Sequence, residues 1–320
     1  MKIAMIFPGY GSQFVGMGKE LYDESRVMQE YFEQAANCLD INFVKLCFAS
    51  SDVELAKMAN AYAAIFLLSS SIFHILKDEG ITPRIVAGYN IGEFSAICAA
   101  GGISFADGIY LISKYATFYE EFLSSIDASI IKVSGIRADI VEQICEQHSL
   151  NEICAGVAMH ISELDHIVTG STAVVEQVTE ALKKEYEAKV EPVGLEFGLH
   201  SGLMRPVLDS LKLYLEKVDF HDAEIPFLSS TDVQPVKTGQ SLRSSVLEHI
   251  TSPLFWDKVV EYVSDYDLIV EIGPGTKLSD TIKKMYPEKR ILSINKMEDI
   301  KTLKKIIGMS DDKKEEAVEE

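Results

Sequence analysis

A chain of 320 residues with 47% hydrophobic and 25% charged residues has room for one large globular domain, or a large and a small one, without disulfide or metal staples. Its formal net charge of −19 argues against nucleic acid and against anionic membrane surfaces as partners. The five cysteines (Cys38, Cys47, Cys98, Cys145, Cys154) are odd in number and show no C-x-x-C spacing, so they read as reduced thiols of a cytoplasmic protein.

Lys2–Phe7 has the pattern of a first buried strand, and its apolar run is too short for a secretion signal. A glycine-rich loop, Pro8 to Gly18, follows it with neither a G-x-G-x-x-G nor a Walker lysine, so it reads as a loop that brings backbone N–H groups toward a ligand. Helical periodicity covers Glu20–Leu39, Val53–Met58 and Ala61–Asp78. Ala61–Leu76 is the longest apolar stretch, but Ser69, Ser70, Ser71 and His74 interrupt it, and it reads as a core helix.

Pro83 leads into the stretch around which the chain is organised. Ile85–Ala87 is a buried-strand run, Ile91–Ala100 a helix-forming run, and Gly88 and Gly92 flank Asn90 at the spacing of a G-x-S-x-G nucleophile elbow. The backbone recipe is present without the nucleophile, because a neutral amide has no proton to give up near pH 7. Cys98, on the following helix, reads as a small buried hydrophobe. Phe105–Phe122 is a further amphipathic helix.

Strand candidates Ser129–Gly135, Gly156–Ile161, His166–Ser171 and Val190–Leu195 alternate with helices Ala138–His148 and Ala173–Tyr186. That βαββαβ order is a ferredoxin-like signature, inserted in a larger α/β unit. Beyond it come helix Leu199–Leu215, strand Ile225–Ser229, helices Leu242–Thr251 and Trp256–Ser264, strand Leu268–Glu271 and a last strand at Ile291–Ile294. The resulting division is 1–127 and 198–308 for the large domain, 128–197 for the small one, and an acidic, disordered tail over 309–320.

Five motifs in order carry a resemblance: Phe7-Pro-Gly-Tyr-Gly-Ser-Gln13, the elbow, Leu199-His200-Ser201 with Leu203-Met204, Ser252-Pro-Leu-Phe-Trp256, and Glu271-Ile-Gly-Pro-Gly275. Along nearly its full length the chain resembles the malonyl-CoA:acyl-carrier-protein transacylases. The resemblance implies an α/β-hydrolase-like large domain with a parallel sheet, an inserted ferredoxin-like domain, and no cofactor. It implies ping-pong transfer of malonyl from coenzyme A, through a serine ester, to a carrier-protein thiol.

Position by position, the family's nucleophilic serine and its neighbouring histidine fall on Asn90 and Tyr89. The family's oxyanion hole, built from backbone N–H groups, falls on Tyr10 and Ile91 and is expected to survive. The arginine that holds the malonyl carboxylate falls on Tyr115, and the glutamine that orients the catalytic histidine on Phe255. His200 matches that histidine and is the one clear survivor. Tyr10, Tyr89, Tyr115 and Phe255 are expected to bring aromatic rings into a polar cleft. Ser201 has no buried strand leading into it, and no histidine pair has metal-ligand spacing.

Three readings follow. One is an inactive homologue that binds a carrier protein, an acyl group, or a synthase or acyltransferase partner. Another is a hydrolase or transferase of apolar acyl thioesters using His200 and the backbone hole, and the third is a transacylase that somehow uses Asn90. Between Lys277 and Lys305 there are nine basic residues against four acidic ones, so Lys283 and Lys284 are expected near the dock for an acidic carrier protein.

Overall fold

The computed structural model describes residues 1–150 and 154–309. Among them are eleven strands: β1 (Ile3–Phe7), β2 (Ile85–Gly88), β3 (Ala128–Ser134), β4 (Ala155–His160), β5 (Asp165–Ser171), β6 (Lys189–Val193), β7 (Phe227–Leu228), β8 (Pro235–Val236), β9 (Leu254–Phe255), β10 (Leu268–Ile272) and β11 (Ile291–Ile294). The expected tail over 309–320 lies, but for Met309, outside the described residues.

The larger sheet runs β11-β10-β1-β2-β7-β8, parallel except for the β7–β8 hairpin at one edge. Every residue of β1, β2 and β10 is buried, as expected of parallel strands covered on both faces. Helix Met58–Asp78 packs behind this sheet. Among the described residues it is the one helix long and apolar enough to cross a membrane, and most of it is buried in the fold.

The smaller sheet runs β6-β3-β5-β4, antiparallel, with helices Ala138–His148 and Thr172–Tyr186 on one face. Ile131, Val133, Val141, Val168, Val178 and Leu182 form its separate core. A fifth strand comes from far along the chain: β9 pairs in parallel with β4, Met159 opposite Leu254 and His160 opposite Phe255. Two residues is too short a run for any alternating pattern to betray it.

Several expected boundaries move where a polar side chain stops a helix. Glu20–Leu39 is two helices, Lys19–Glu24 and Arg26–Leu39, because Ser25 is extended and caps Met28. The stretch expected as Val53–Met58 is Asp52–Ala56, capped by Ser51, and the core helix starts at Met58. An unexpected helix, Phe43–Ala49, is capped by Asn42. The change that matters most is at Leu199–Leu215: the helix begins only at Arg205, and His200 sits before it with φ 37°.

Candidate active site

The elbow forms where β2 gives way to helix Gly92–Ala99. Its glycines are required by contact. A Cβ on Gly88 would lie 2.1 Å from the Glu93 nitrogen, one on Gly92 2.2 Å from the Phe7 carbonyl oxygen, and one on Gly9 2.4 Å from the Tyr89 carbonyl oxygen. Asn90 stands at the apex with φ 54°, a left-handed conformation that asparagine tolerates better than most residues.

Asn90 is 2% exposed, and its whole amide is engaged. Nδ2 donates to the Phe197 carbonyl at 2.5 Å and lies 3.1 Å from His200 Nε2. Oδ1 accepts from the Ile91 N–H at 2.5 Å. The Ile91 N–H, expected to face an oxyanion hole, is thus already engaged by the Asn90 side chain. At Tyr10 the hydroxyl donates to the Ala56 carbonyl at 3.0 Å, and the ring meets Phe197 and Tyr62 edge-on.

His200 is 1% exposed. Its Nδ1 is 2.8 Å from the His249 carbonyl, which can only accept, so Nδ1 carries the proton and Nε2 accepts from Asn90. Burial, with the His249 ring beside it, pushes its pKa down to about 3. A neutral imidazole whose free lone pair is already spent has nothing left with which to deprotonate water or a thiol. Phe255, expected to stand for the orienting glutamine, does not touch it: its ring stacks on His160 in the smaller sheet, centroids 4.7 Å apart. The orienting acceptor is the backbone of His249.

Behind this pair lies a buried polar layer. His249 Nδ1 is 2.9 Å from Glu93 Oε2, with both side chains 2% exposed or less. Glu93 Oε1 accepts from the Ser230 N–H and hydroxyl at 2.8 and 2.5 Å. A buried acidic side chain needs such partners, and these fasten the elbow helix to the turn after β7 and to helix Gly239–Thr251.

Tyr115, expected in the cleft, is fully buried and stacks between Phe94 and Tyr119, centroids 5.9 and 6.0 Å away. It fills core. Tyr89 does reach the cleft, edge-on to Trp256 at 5.2 Å. The other nucleophile candidates are unarmed: burial lifts the Cys98 thiol to about 12 and raises the Tyr89 phenol, and the buried Ser201 hydroxyl has no hydrogen-bond partner among the described residues. Among the described residues no three His, Cys, Asp or Glu side chains stand together as a metal site.

A cleft of about 310 Å³ opens between the sheets. Tyr10, Tyr89, Trp256 and Lys277 from the larger unit, Lys132, Ile161, Ile167 and Val193 from the smaller sheet and its flanks, and Phe197 line it. Neither Asn90 nor His200 reaches it. Between them and the cleft lies the turn Leu195–Phe197, for which the flanking glycines, Gly194 and Gly198, were the one signal in the sequence.

The Glu271-Ile-Gly-Pro-Gly275 motif has a structural task. The Glu271 carboxylate accepts from the N–H groups of Leu278 and Ser279 at 3.1 and 3.0 Å, capping helix Lys277–Met285. The cap holds Lys277 at the cleft wall, where its ammonium meets the Gly11 carbonyl.

A family profile described as acyl transferase domain matches residues 4–319. The chain belongs to that family. A malonyl CoA-acyl carrier protein transacylase of Bacillus subtilis is 29% identical over 301 residues, covering 93% of this chain and 95% of the relative. The crystal structure of an acyl-carrier-protein-S-malonyltransferase from Bartonella henselae superposes with a TM-score of 0.89 at 26% identity, over 97% of this chain and all of that one. A malonyl-transacylase solved in complex with its type II polyketide synthase acyl-carrier protein superposes with a TM-score of 0.88 at 24% identity, covering 94% and 98%. The two-sheet α/β architecture is that of these acyltransferases.

Proposed function

We propose that this acyltransferase homologue acts by binding, without transferring acyl groups, in fatty-acid or polyketide biosynthesis. One observation carries the reading: the Asn90 amide bonds at once to the Ile91 N–H, the Phe197 carbonyl and His200 Nε2. It occupies the nucleophile's place, fills half of the oxyanion hole and uses up the base. Losing the nucleophile of a comparable serine–histidine machine costs about 10⁶ in turnover, roughly 8 kcal/mol of transition-state stabilisation.

An acyl carrier protein is the partner that fits best, since the related transacylases act on one and one of them was solved with one bound. Lys283 and Lys284, exposed on helix Lys277–Met285, form the dock in this reading. It keeps the division into 1–127 with 198–308 and an inserted 128–197, and a cytoplasmic location suits five cysteines that form no disulfide. Against the thioester-hydrolase alternative stands the burial of His200 and the engagement of its Nε2.

The test is intact mass after incubation with malonyl-, acetyl- and longer acyl-CoA, with and without carrier protein. The expected result is no acyl mass on either protein. Acylation of either at rates ordinary for transacylases overturns the reading, and peptide mapping then names the residue.

A further inference from the structure

Three consecutive backbone carbonyls of the turn Leu195–Phe197 each accept a hydrogen bond from a different side chain. Tyr119 donates its hydroxyl to Leu195 at 2.6 Å, Tyr62 to Glu196 at 2.8 Å, and Asn90 its amide to Phe197 at 2.5 Å. Both tyrosines are fully buried on core helices, Met58–Asp78 and Phe105–Leu123, so the points of attachment are rigid. The turn closes on itself as well, through Phe197 N–H to Gly194 and Gly198 N–H to Leu195.

The far side of this turn rests on the imidazole. Gly198 has φ 100°, and a Cβ there would lie 2.5 Å from His200 Nε2. On the near side, the Phe197 ring faces the cleft against Tyr10. A main-chain strap therefore crosses between the cleft and the Asn90–His200 pair, and glycines at both its ends supply hinges.

We infer that Tyr62 and Tyr119 hold this strap as a seal even without the third bond from Asn90, and so close the site to a thiol or thioester in the cleft whatever residue stands at position 90. Each tyrosine hydroxyl reaches a main-chain oxygen that a phenylalanine would leave bare, so the two phenols set how often the strap lifts. Restoring serine at position 90 then restores only part of the machinery, because the strap still stands between that position and the cleft. The inference does not depend on whether the chain transfers acyl groups, and its test reads access alone.

The experiment places a thiol at the elbow with Asn90→Cys and follows its modification by N-ethylmaleimide, mapped by peptide mass. Exposed Cys38 serves as the internal rate standard, and buried Cys47, Cys98 and Cys145 report general unfolding. With both tyrosines intact, position 90 is expected to react at least about 100-fold more slowly than Cys38. Adding Tyr62→Phe and Tyr119→Phe removes two hydrogen bonds and is expected to speed it about 10- to 100-fold, the three buried thiols staying protected. Reaction at the Cys38 rate with the tyrosines intact overturns the seal, as does no acceleration without them. Should the double replacement expose the buried thiols, each single replacement in the Asn90→Cys background is read instead. An acceleration of about three- to tenfold in either supports the strap, and none in both refutes it.

Discussion

Truncating Asn90 to alanine separates a residue kept for architecture from one left behind by lost chemistry. The change strands three groups in a site that is 2% exposed or less: the Ile91 N–H, the Phe197 carbonyl and His200 Nε2. Each buried group left without its partner costs about 1–3 kcal/mol, and alanine at φ 54° adds about 1 kcal/mol. Small local rearrangements around position 90 offset part of this, so the expected loss is about 3–5 kcal/mol. Asn90→Gly strands the same groups without the dihedral cost and is expected about 1 kcal/mol above Asn90→Ala. Urea unfolding followed through the single tryptophan, Trp256, buried at the cleft wall, measures both. At a working active site, removing the strained catalytic group is commonly neutral or stabilising. An Asn90→Ala protein within about 0.5 kcal/mol of the natural chain therefore refutes the reasoning.

Acid should destabilise the fold over a defined window. His200 is held down to about 3 and His160 to about 4 by burial, against about 6.5 unfolded, so below pH 6.5 the unfolded chain takes up protons that the folded chain refuses. Their contribution is complete above pH 6.5 and is lost as pH falls toward 4. His200→Gln should flatten that slope, and unfolding midpoints from pH 7 to 4 that fall equally in both proteins would contradict it. Reversing charge at Lys283 and Lys284 should weaken carrier-protein binding about tenfold at low salt, and less as ionic strength rises. Calorimetric titration that finds equal affinity for natural and reversed chains would place the dock elsewhere.

Much of this architecture is legible in the residues. The apolar runs at Ile3, Ile85 and Leu268 mark the buried strands, and Gly88 and Gly92 mark the elbow because no side chain fits there. The two sheets follow from the switch between long helices and short alternating strands. What the sequence hides is where side chains turn. Nothing in Gly88-Tyr-Asn-Ile-Gly92 says that Asn90 folds its carbonyl back on the next N–H, since that depends on Phe197 and His200, 107 and 110 residues further along the chain. The resemblance sets Phe255 where the family's orienting glutamine stands and so implies that the histidine has lost its orienter, yet a backbone carbonyl orients it, and any residue at position 249 can supply one. The family resemblance sets Tyr115 at the place of a carboxylate-holding arginine, hence the expectation of a pocket residue. A phenol without a carboxylate to meet packs with Phe94 and Tyr119 instead, where burial of its ring is favourable.

The position of β1 bears on how the chain comes to be made. It lies between β10 and β2, with Ile3 opposite Leu268, so β1 is flanked on one side by a strand made long after it. Until residue 272 has emerged, the apolar segment Ile-Ala-Met-Ile-Phe has an open hydrogen-bonding edge, and the smaller sheet waits in the same way for Leu254 and Phe255. Contacts this distant in sequence slow folding and leave a sticky edge unguarded during synthesis. The chain therefore depends on late closure of both its sheets, and shortening it before β10 leaves β1 with only β2 beside it.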